Sequence, residues 1–243
     1  MRRRLVLVTL VLVTSACASA PPPPSRGELI QQILKSTVQL RAEREGGALR
    51  AASGVVLATD RARRRAWILT TRHFFEPPDA QHVYVRLPGR DSVVQGTVAF
   101  VSPDLDIAIV EVEQTDVAPI RLKVAADLGD DVLVIAFPWG DRFTVVRGAV
   151  SQITPAGSDG LVTGPPRMID ASVSYGSSGG GVFDARSGHL LGIVKGYRTV
   201  KVTLPETRER PLELPVAGET TLIPAAAILR FLVDSGLTDF LPK

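Results

Sequence analysis

Acyl transfer needs an exposed nucleophile, a base that takes its proton, and donors for the developing oxyanion. The run Gly176-Ser177-Ser178-Gly179-Gly180-Gly181 can supply the first and the last of these. Glycines remove Cβ atoms, permit positive φ and let backbone N–H groups face a negative charge. Most Gly/Ser runs are flexible turns, but this one is wedged between two apolar strand candidates. A histidine suits the role of base near neutral pH, and the chain has three. His73 lies just past Trp67-Ile68-Leu69-Thr70-Thr71, where a buried strand would deliver it to a cleft. His82 and His189 follow polar or turn segments and read as surface residues. On its own, His73 fits a structural histidine at least as well. Asp104 and Asp106 both precede Ile107-Ala108-Ile109-Val110. Either is a strand-edge residue or the carboxylate that completes a triad with His73 and Ser178. A metal site on His73, His189 and carboxylates lacks any ligand pair at helical or hairpin spacing, so no metal or cofactor is expected.

Placing these groups requires a folded scaffold, and the composition allows one. The 243 residues are 45% hydrophobic, with 21 Gly and 18 Pro and few aromatics. Short Val/Ile-rich runs between turn residues favour an all-β domain. A short helix is expected at 28–34. Strands follow at 37–41, 54–58, 67–71, 83–87, 95–101 and 107–112. A charged, small-residue break at 123–131 separates a second group at 132–137, 144–153, 167–171, 181–183, 189–194 and 220–223. Pro224 suits the first turn of a closing helix that runs to about Asp234. Two groups of about six strands fit a pair of small barrels, and strand counting alone fits a single β-sandwich equally well.

The amino terminus reads as a targeting segment. Arg2, Arg3 and Arg4 precede an apolar run at 5–13 and the small residues Thr14-Ser15-Ala16. That is the order of a secretory signal peptide (1–16), and the run is too short for an ordinary membrane span. Cys17, the sole cysteine, stands where a bacterial lipobox places its lipidated residue, with Thr14 in place of the usual Leu. The alternative is a plain signal peptide cleaved near Ala18 or Ala20. Lipidated Cys17 and a stiff Pro21-Pro22-Pro23-Pro24 tether (17–27) would hold an exported domain on a membrane of the bacterial cell envelope, facing the periplasm or exterior. Apart from the three leader arginines, 25 basic residues face 25 acidic ones, so no nucleic-acid partner is expected. The patch Arg61-Ala62-Arg63-Arg64-Arg65 reads as a solvated turn between strands.

Several segments together resemble the trypsin-like serine proteases, and within them the disulfide-free, HtrA-like bacterial branch. Ile68-Leu69-Thr70-Thr71-Arg72-His73 is similar to that family's strand into its catalytic histidine. Asp104-Leu105-Asp106-Ile107-Ala108-Ile109 is similar to its aspartate box, which selects Asp106. Asp131 to Gly140, Val146 to Ile153, Asp170-Ala171-Ser172-Val173, Leu191-Gly192-Ile193-Val194 and Leu222-Ile223-Pro224 follow in the familiar order. The resemblance implies two six-stranded barrels, one at 28–124 and one at 125–243 with the closing helix, and an active site in the cleft between them. It implies Ser178 as nucleophile, His73 as base, Asp106 as the orienting carboxylate, and the N–H groups of Gly176 and Ser178 as the oxyanion hole. Protein or peptide substrates follow from it, with Ser172, Val173 and Lys195 bordering their binding site.

The sequence departs from the family pattern at four places. Ser177 replaces the usual Asn or Asp before the nucleophile, which removes activation by a salt bridge to a new amino terminus. Arg72 stands where a small or neutral residue is usual, and Lys195 where Ser or Thr is common. The connection at 199–219 is longer than usual, and reads as either a lid or an exposed loop. No acidic residue stands at Ser172 or Val173, so a small or medium apolar side chain is expected in the primary pocket rather than Arg or Lys. The chain ends at Lys243, and no PDZ domain is expected after the helix. A protease-fold lipoprotein that binds without turnover is the competing expectation.

Overall fold

The computed structural model describes residues 24–43, 47–76, 82–89, 93–113, 115–155, 162–203 and 212–238. The expected signal peptide, Cys17 and most of the Pro-rich tether lie outside the described residues. The first element is helix α1 (Arg26–Leu34), which starts two residues before the expected 28. Its start is set by a capping box: Glu28 N–H donates to the Ser25 hydroxyl, and Ser25 N–H donates to the Glu28 carboxylate. Leu29 and Ile33, four apart, bury one face of the helix.

Strands β1 (Thr37–Glu43), β2 (Leu49–Asp60), β3 (Arg65–Thr70), β4 (His82–Arg86), β5 (Val93–Val101) and β6 (Ala108–Val112) close into a barrel in the order β1-β2-β3-β6-β5-β4. After it come β7 (Ala126–Asp127), β8 (Asp131–Ala136), β9 (Thr144–Ile153), β10 (Thr163–Gly164), β11 (Pro166–Asp170), β12 (Gly181–Asp184), β13 (Leu190–Val202) and β14 (Leu212–Pro224). Among the described residues β7 pairs with β10 alone, and the others close a second barrel in the order β11-β14-β13-β12-β8-β9. The fold is therefore mostly β with two closed six-stranded barrels, and closure removes the single-sandwich alternative. Helix α2 (Ala225–Asp234) follows Pro224, as the fixed φ of proline favours.

Burial explains the sequence patterns. Val38, Leu40, Val56, Ile68, Val85 and Val110 fill the first barrel, and Val132, Val134, Ile169, Val182 and Leu191 fill the second. A third cluster lies in the seam, where Val55, Leu57, Leu69, Ile109, Leu133, Ile135, Phe183 and Ile193 meet Leu29 and Ile33 of α1 and Ile228 and Leu232 of α2. Strands along the seam are covered on both faces, so β2 and β3 read as continuous apolar runs rather than alternating ones. Each such buried aliphatic side chain stabilises the fold by about 1.5–3 kcal/mol.

Two regions differ from the sequence expectation. The stretch at 199–219 is not a plain loop, because β13 and β14 continue through much of it as a paired ribbon. Thr199 lies opposite Pro215, Val200 opposite Leu214 and Val202 opposite Leu212. An exposed ribbon has no buried face to imprint periodicity, so its charges and prolines read as a connection. The break at 123–131 holds the short β7. The arginine patch does form the turn between β2 and β3, and Arg61, Arg63 and Arg65 pair with Asp116, Asp60, Glu111 and Glu113.

Candidate active site

β3 pairs along its length with β2 and β6, so its end is a firm platform. The chain leaves it through one 3-10 turn, Arg72–Phe74, whose Phe74 is buried in the first barrel and whose His73 faces the cleft. Asp106 sits just before β6, the neighbouring strand. Its Oδ1 accepts the His73 backbone N–H at 2.8 Å, and its Oδ2 lies 2.7 Å from His73 Nδ1. A carboxylate at Nδ1 holds the proton there and leaves Nε2 as the acceptor. His73 Nε2 lies 3.1 Å from Ser178 Oγ. Burial raises the Asp106 carboxyl, but hydrogen bonds from the His73 ring and backbone, with the positive charge of Lys195, outweigh it and hold the carboxyl below its ordinary range.

Ser178 sits in a loop that glycines make possible. Gly176 and Gly179 have φ of 87° and 78°, in the left-handed region. A Cβ on Gly179 would lie 2.2 Å from Ser53 O, and one on Gly176 would lie 2.6 Å from Trp139 N. Among the described residues, neither Gly176 N–H nor Ser178 N–H donates to a protein acceptor. Both are thus available to an oxyanion beside Ser178.

Sequence reading missed the residue that holds this loop. Ser53 of β2 is fully buried, and all of its polar atoms are bonded. Its N–H donates to Ser178 O at 2.9 Å, and its carbonyl accepts the Thr70 hydroxyl at 2.8 Å. Its hydroxyl donates to Gly176 O at 2.9 Å and accepts Phe137 N–H at 2.8 Å. The other end of the same peptide unit is tied too, since Ser177 N–H donates to Ser174 O. The 176–177 peptide, which separates the two candidate oxyanion donors, is therefore pinned on both sides. The one available signal was a polar Ser53 directly before the apolar strand expected at 54–58.

The remaining candidates fall as follows. Val173 and Lys195 line a cavity of about 210 Å³ with His73, Gly176 and Ser178. Ser172 lines an adjoining cavity of about 220 Å³ with Val134, Val146, Val173 and Ser177. Among the described residues no carboxylate lines either cavity. The Arg72 guanidinium points to the loop before Asp106, donating to Ser102 O at 2.9 Å and Pro103 O at 2.8 Å, and pairs with Glu76 at 3.1 Å. It braces the Asp106 loop against the His73 turn. Asp104 is exposed, His82 lies on the outer face of β4, and His189 borders a different cavity beside α1.

Comparison with known proteins agrees with this geometry. The model of the trypsin-like peptidase domain family matches residues 52–193, more than half of the chain and from Ser53 past Ser178. The human peroxisomal leader peptide-processing protease is 33% identical over 139 residues, 52% of this chain and 23% of that protein. The chain spans less than a third of the length of the curated relatives it matches. In fold it is similar to the active form of the Rv3671c protease from M. tuberculosis, with a TM-score of 0.65, 21% identity and 96% of each chain covered. It is also similar to the HtrA-type protease AlgWS227A with tripeptide, with a TM-score of 0.64, 19% identity, and 90% of this chain and 65% of that one covered. With the family model across its centre and two closed barrels meeting at Ser178, the chain belongs to the trypsin-like peptidase family and has the fold of a serine endopeptidase.

Proposed function

We propose that this chain hydrolyses peptide bonds of polypeptide substrates through a Ser178–His73–Asp106 triad and an acyl-enzyme. The observation that carries this reading is the continuous line of contacts from Asp106 Oδ2 to His73 Nδ1 and from Nε2 to Ser178 Oγ, beside two undonated N–H groups. Ser178 Oγ attacks the scissile carbonyl carbon as its proton passes to His73 Nε2. The N–H groups of Gly176 and Ser178 stabilise the oxyanion. Collapse breaks the C–N bond, and His73 returns the proton to the departing amine. Water then repeats the sequence on the acyl-Ser178 ester. Asp106 orients the imidazole and stabilises its cation without taking the proton. The apolar Val173, and the lack of any carboxylate among the described residues that line the two cavities beside Ser178, favour a small or medium apolar side chain before the scissile bond.

The sequence pattern at 1–17 supports an exported protein lipidated at Cys17, so the substrates are proteins of the cell envelope. Among the described residues no helix is long and apolar enough to cross a membrane. Palmitate incorporation that disappears in Cys17→Ala tests the anchor. For the activity, the full chain and its Ser178→Ala variant are exposed to a fluorophosphonate probe and to an unfolded protein. Labelling and cleavage by the parent alone are expected. Absence of both in the parent overturns the reading in favour of a protease fold that binds without turnover.

A further inference from the structure

Trp139 is the most exposed large hydrophobic residue among those described, at 72%. Its position is held rather than loose. It has φ 57° and ψ 7°, a conformation that bulky residues rarely adopt. Its N–H donates to Tyr175 O at 2.8 Å, so it is tied to the residue before the oxyanion donor Gly176. The turn around it comes from the second barrel but is clamped to the first. Arg41 donates to Gly140 O at 2.9 Å, Gln39 donates to Asp141 O at 3.0 Å, and Gly140 packs on Ala51. The Tyr175 ring, itself 42% exposed, lies 5.1 Å from the Trp139 ring at an interplanar angle of 39°. A backbone in an unfavourable conformation that keeps two adjoining aromatic rings in water is better suited to a ligand than to a core.

The fold also gives the direction of that ligand. An extended peptide in the cleft can pair its main chain only with an unpaired sheet edge. Past Val194, whose backbone is still bonded to Gly179 and Gly180, β13 pairs with β14 on one side and, among the described residues, with no strand on the other. That edge carries Lys195 to Tyr197 along one wall of the cleft, and Arg50 to Ala52 of β2 form the other end. If the acyl half of a substrate lies on β13, its leaving half passes over β2, where Trp139 and Tyr175 stand. Resting on the endopeptidase reading above, we propose that Trp139 and Tyr175 form a subsite for an aromatic or large aliphatic side chain one or two residues past the scissile bond.

Two measurements on the full chain test this. First, fragments of reduced, carboxymethylated ribonuclease A are sequenced from their new amino termini. Phe, Tyr, Leu and Met are expected to be enriched at the first two positions for the parent and not for Trp139→Asn, since Asn tolerates positive φ. In Trp139→Asn, kcat/KM for the polypeptide falls at least tenfold, mainly through KM. Labelling by a small fluorophosphonate, which places no residue past Ser178, changes less than threefold. Equal falls in both, or an unchanged cleavage pattern, overturn the proposal. Second, the chain has two tryptophans, and Trp67 is buried, so red-edge emission reports Trp139. Titrating Ser178→Ala with the same tryptophan-free polypeptide is expected to give a saturable blue shift, absent in Ser178→Ala/Trp139→Phe. No shift overturns the subsite. If the parent neither labels nor cleaves, the catalytic reading fails while this emission shift still decides whether the aromatic pair docks a polypeptide.

Discussion

The two barrels deliver their functional groups in different ways. The first presents His73 and Asp106 from the ends of neighbouring strands, and they contact each other twice. The second presents Ser178 on a glycine loop that its own β13 holds only at the far end, where Gly179 N–H donates to Val194 O and Val194 N–H donates to Gly180 O. That loop is anchored across the seam by Ser53 of the first barrel, which meets Gly176 O and Ser178 O. On the proposed assignment the acid–base pair is therefore local to one barrel, while the nucleophile and the candidate oxyanion donors depend on how the two barrels dock.

This contrast can be broken from either side. Asp106→Asn removes the orienting carboxylate within the first barrel. It should lower kcat by about 10⁴ while circular dichroism keeps the parent spectrum. Gly179→Ala attacks the docking, since its Cβ would meet Ser53 O at 2.2 Å and the Thr70 hydroxyl at 2.4 Å at a φ of 78°. Probe labelling should fall about 10²–10³-fold, as for loss of an oxyanion donor, with a lower Tm. Ser53→Ala leaves the donors in place but frees Gly176 O and Phe137 N–H in a buried site. Labelling should fall about 10-fold to 10²-fold, and destabilisation should be about 1–3 kcal/mol by urea unfolding. If Ser53→Ala were silent, the loop would be self-supporting and the contrast would fail.

Smaller effects sharpen it. Burial raises the Asp184 carboxyl, but the Lys123 ammonium and the Ser187 N–H and hydroxyl outweigh that and bring it to about 2, below the ordinary 3.8. This pair ties the connector between the barrels to β12, far from the chemistry. Because the folded value is the lower one, its stabilisation is complete above about pH 4 and is lost as pH falls toward 2. With Lys123 partly exposed, the contribution is about 1–2 kcal/mol, and Asp184→Asn should remove that acid-sensitive part from Tm measured between pH 5 and 2. Arg72→Ala should have the least effect, a fall in kcat of about 3- to 10-fold with KM unchanged, because the Asp106 loop loses two hydrogen bonds from a side chain that does not touch the substrate.

Much of this was legible along the chain. The buried strands β3, β6 and β12 read as apolar runs because both of their faces are covered. Ser178 and His73 stood out by the glycines and the apolar strand beside them, while Asp106 was separated from Asp104 only by the resemblance to the family's aspartate box. Less was legible where burial is one-sided or absent. The ribbon of β13 and β14 pairs Val200 with Leu214 and Val202 with Leu212, yet all lie near solvent, and the intervening charges hide the strand period. β2 runs from Leu49 to Asp60, well beyond the expected 54–58, because its ends are held by partner strands rather than by their own apolar character.

By itself, the sequence determined which side chains can do chemistry and roughly which strands carry them, because those properties depend on residue type and on neighbours a few positions away. Only the tertiary structure decided what holds the loop of Gly176 and Ser178 and where the aromatic pair stands. Ser53 and Gly176 are 123 positions apart, and Gly140 meets Arg41 across 99. A hydrogen bond across two closed barrels leaves no local pattern in the chain, since its partners are brought together only by the docking of surfaces that each barrel forms separately.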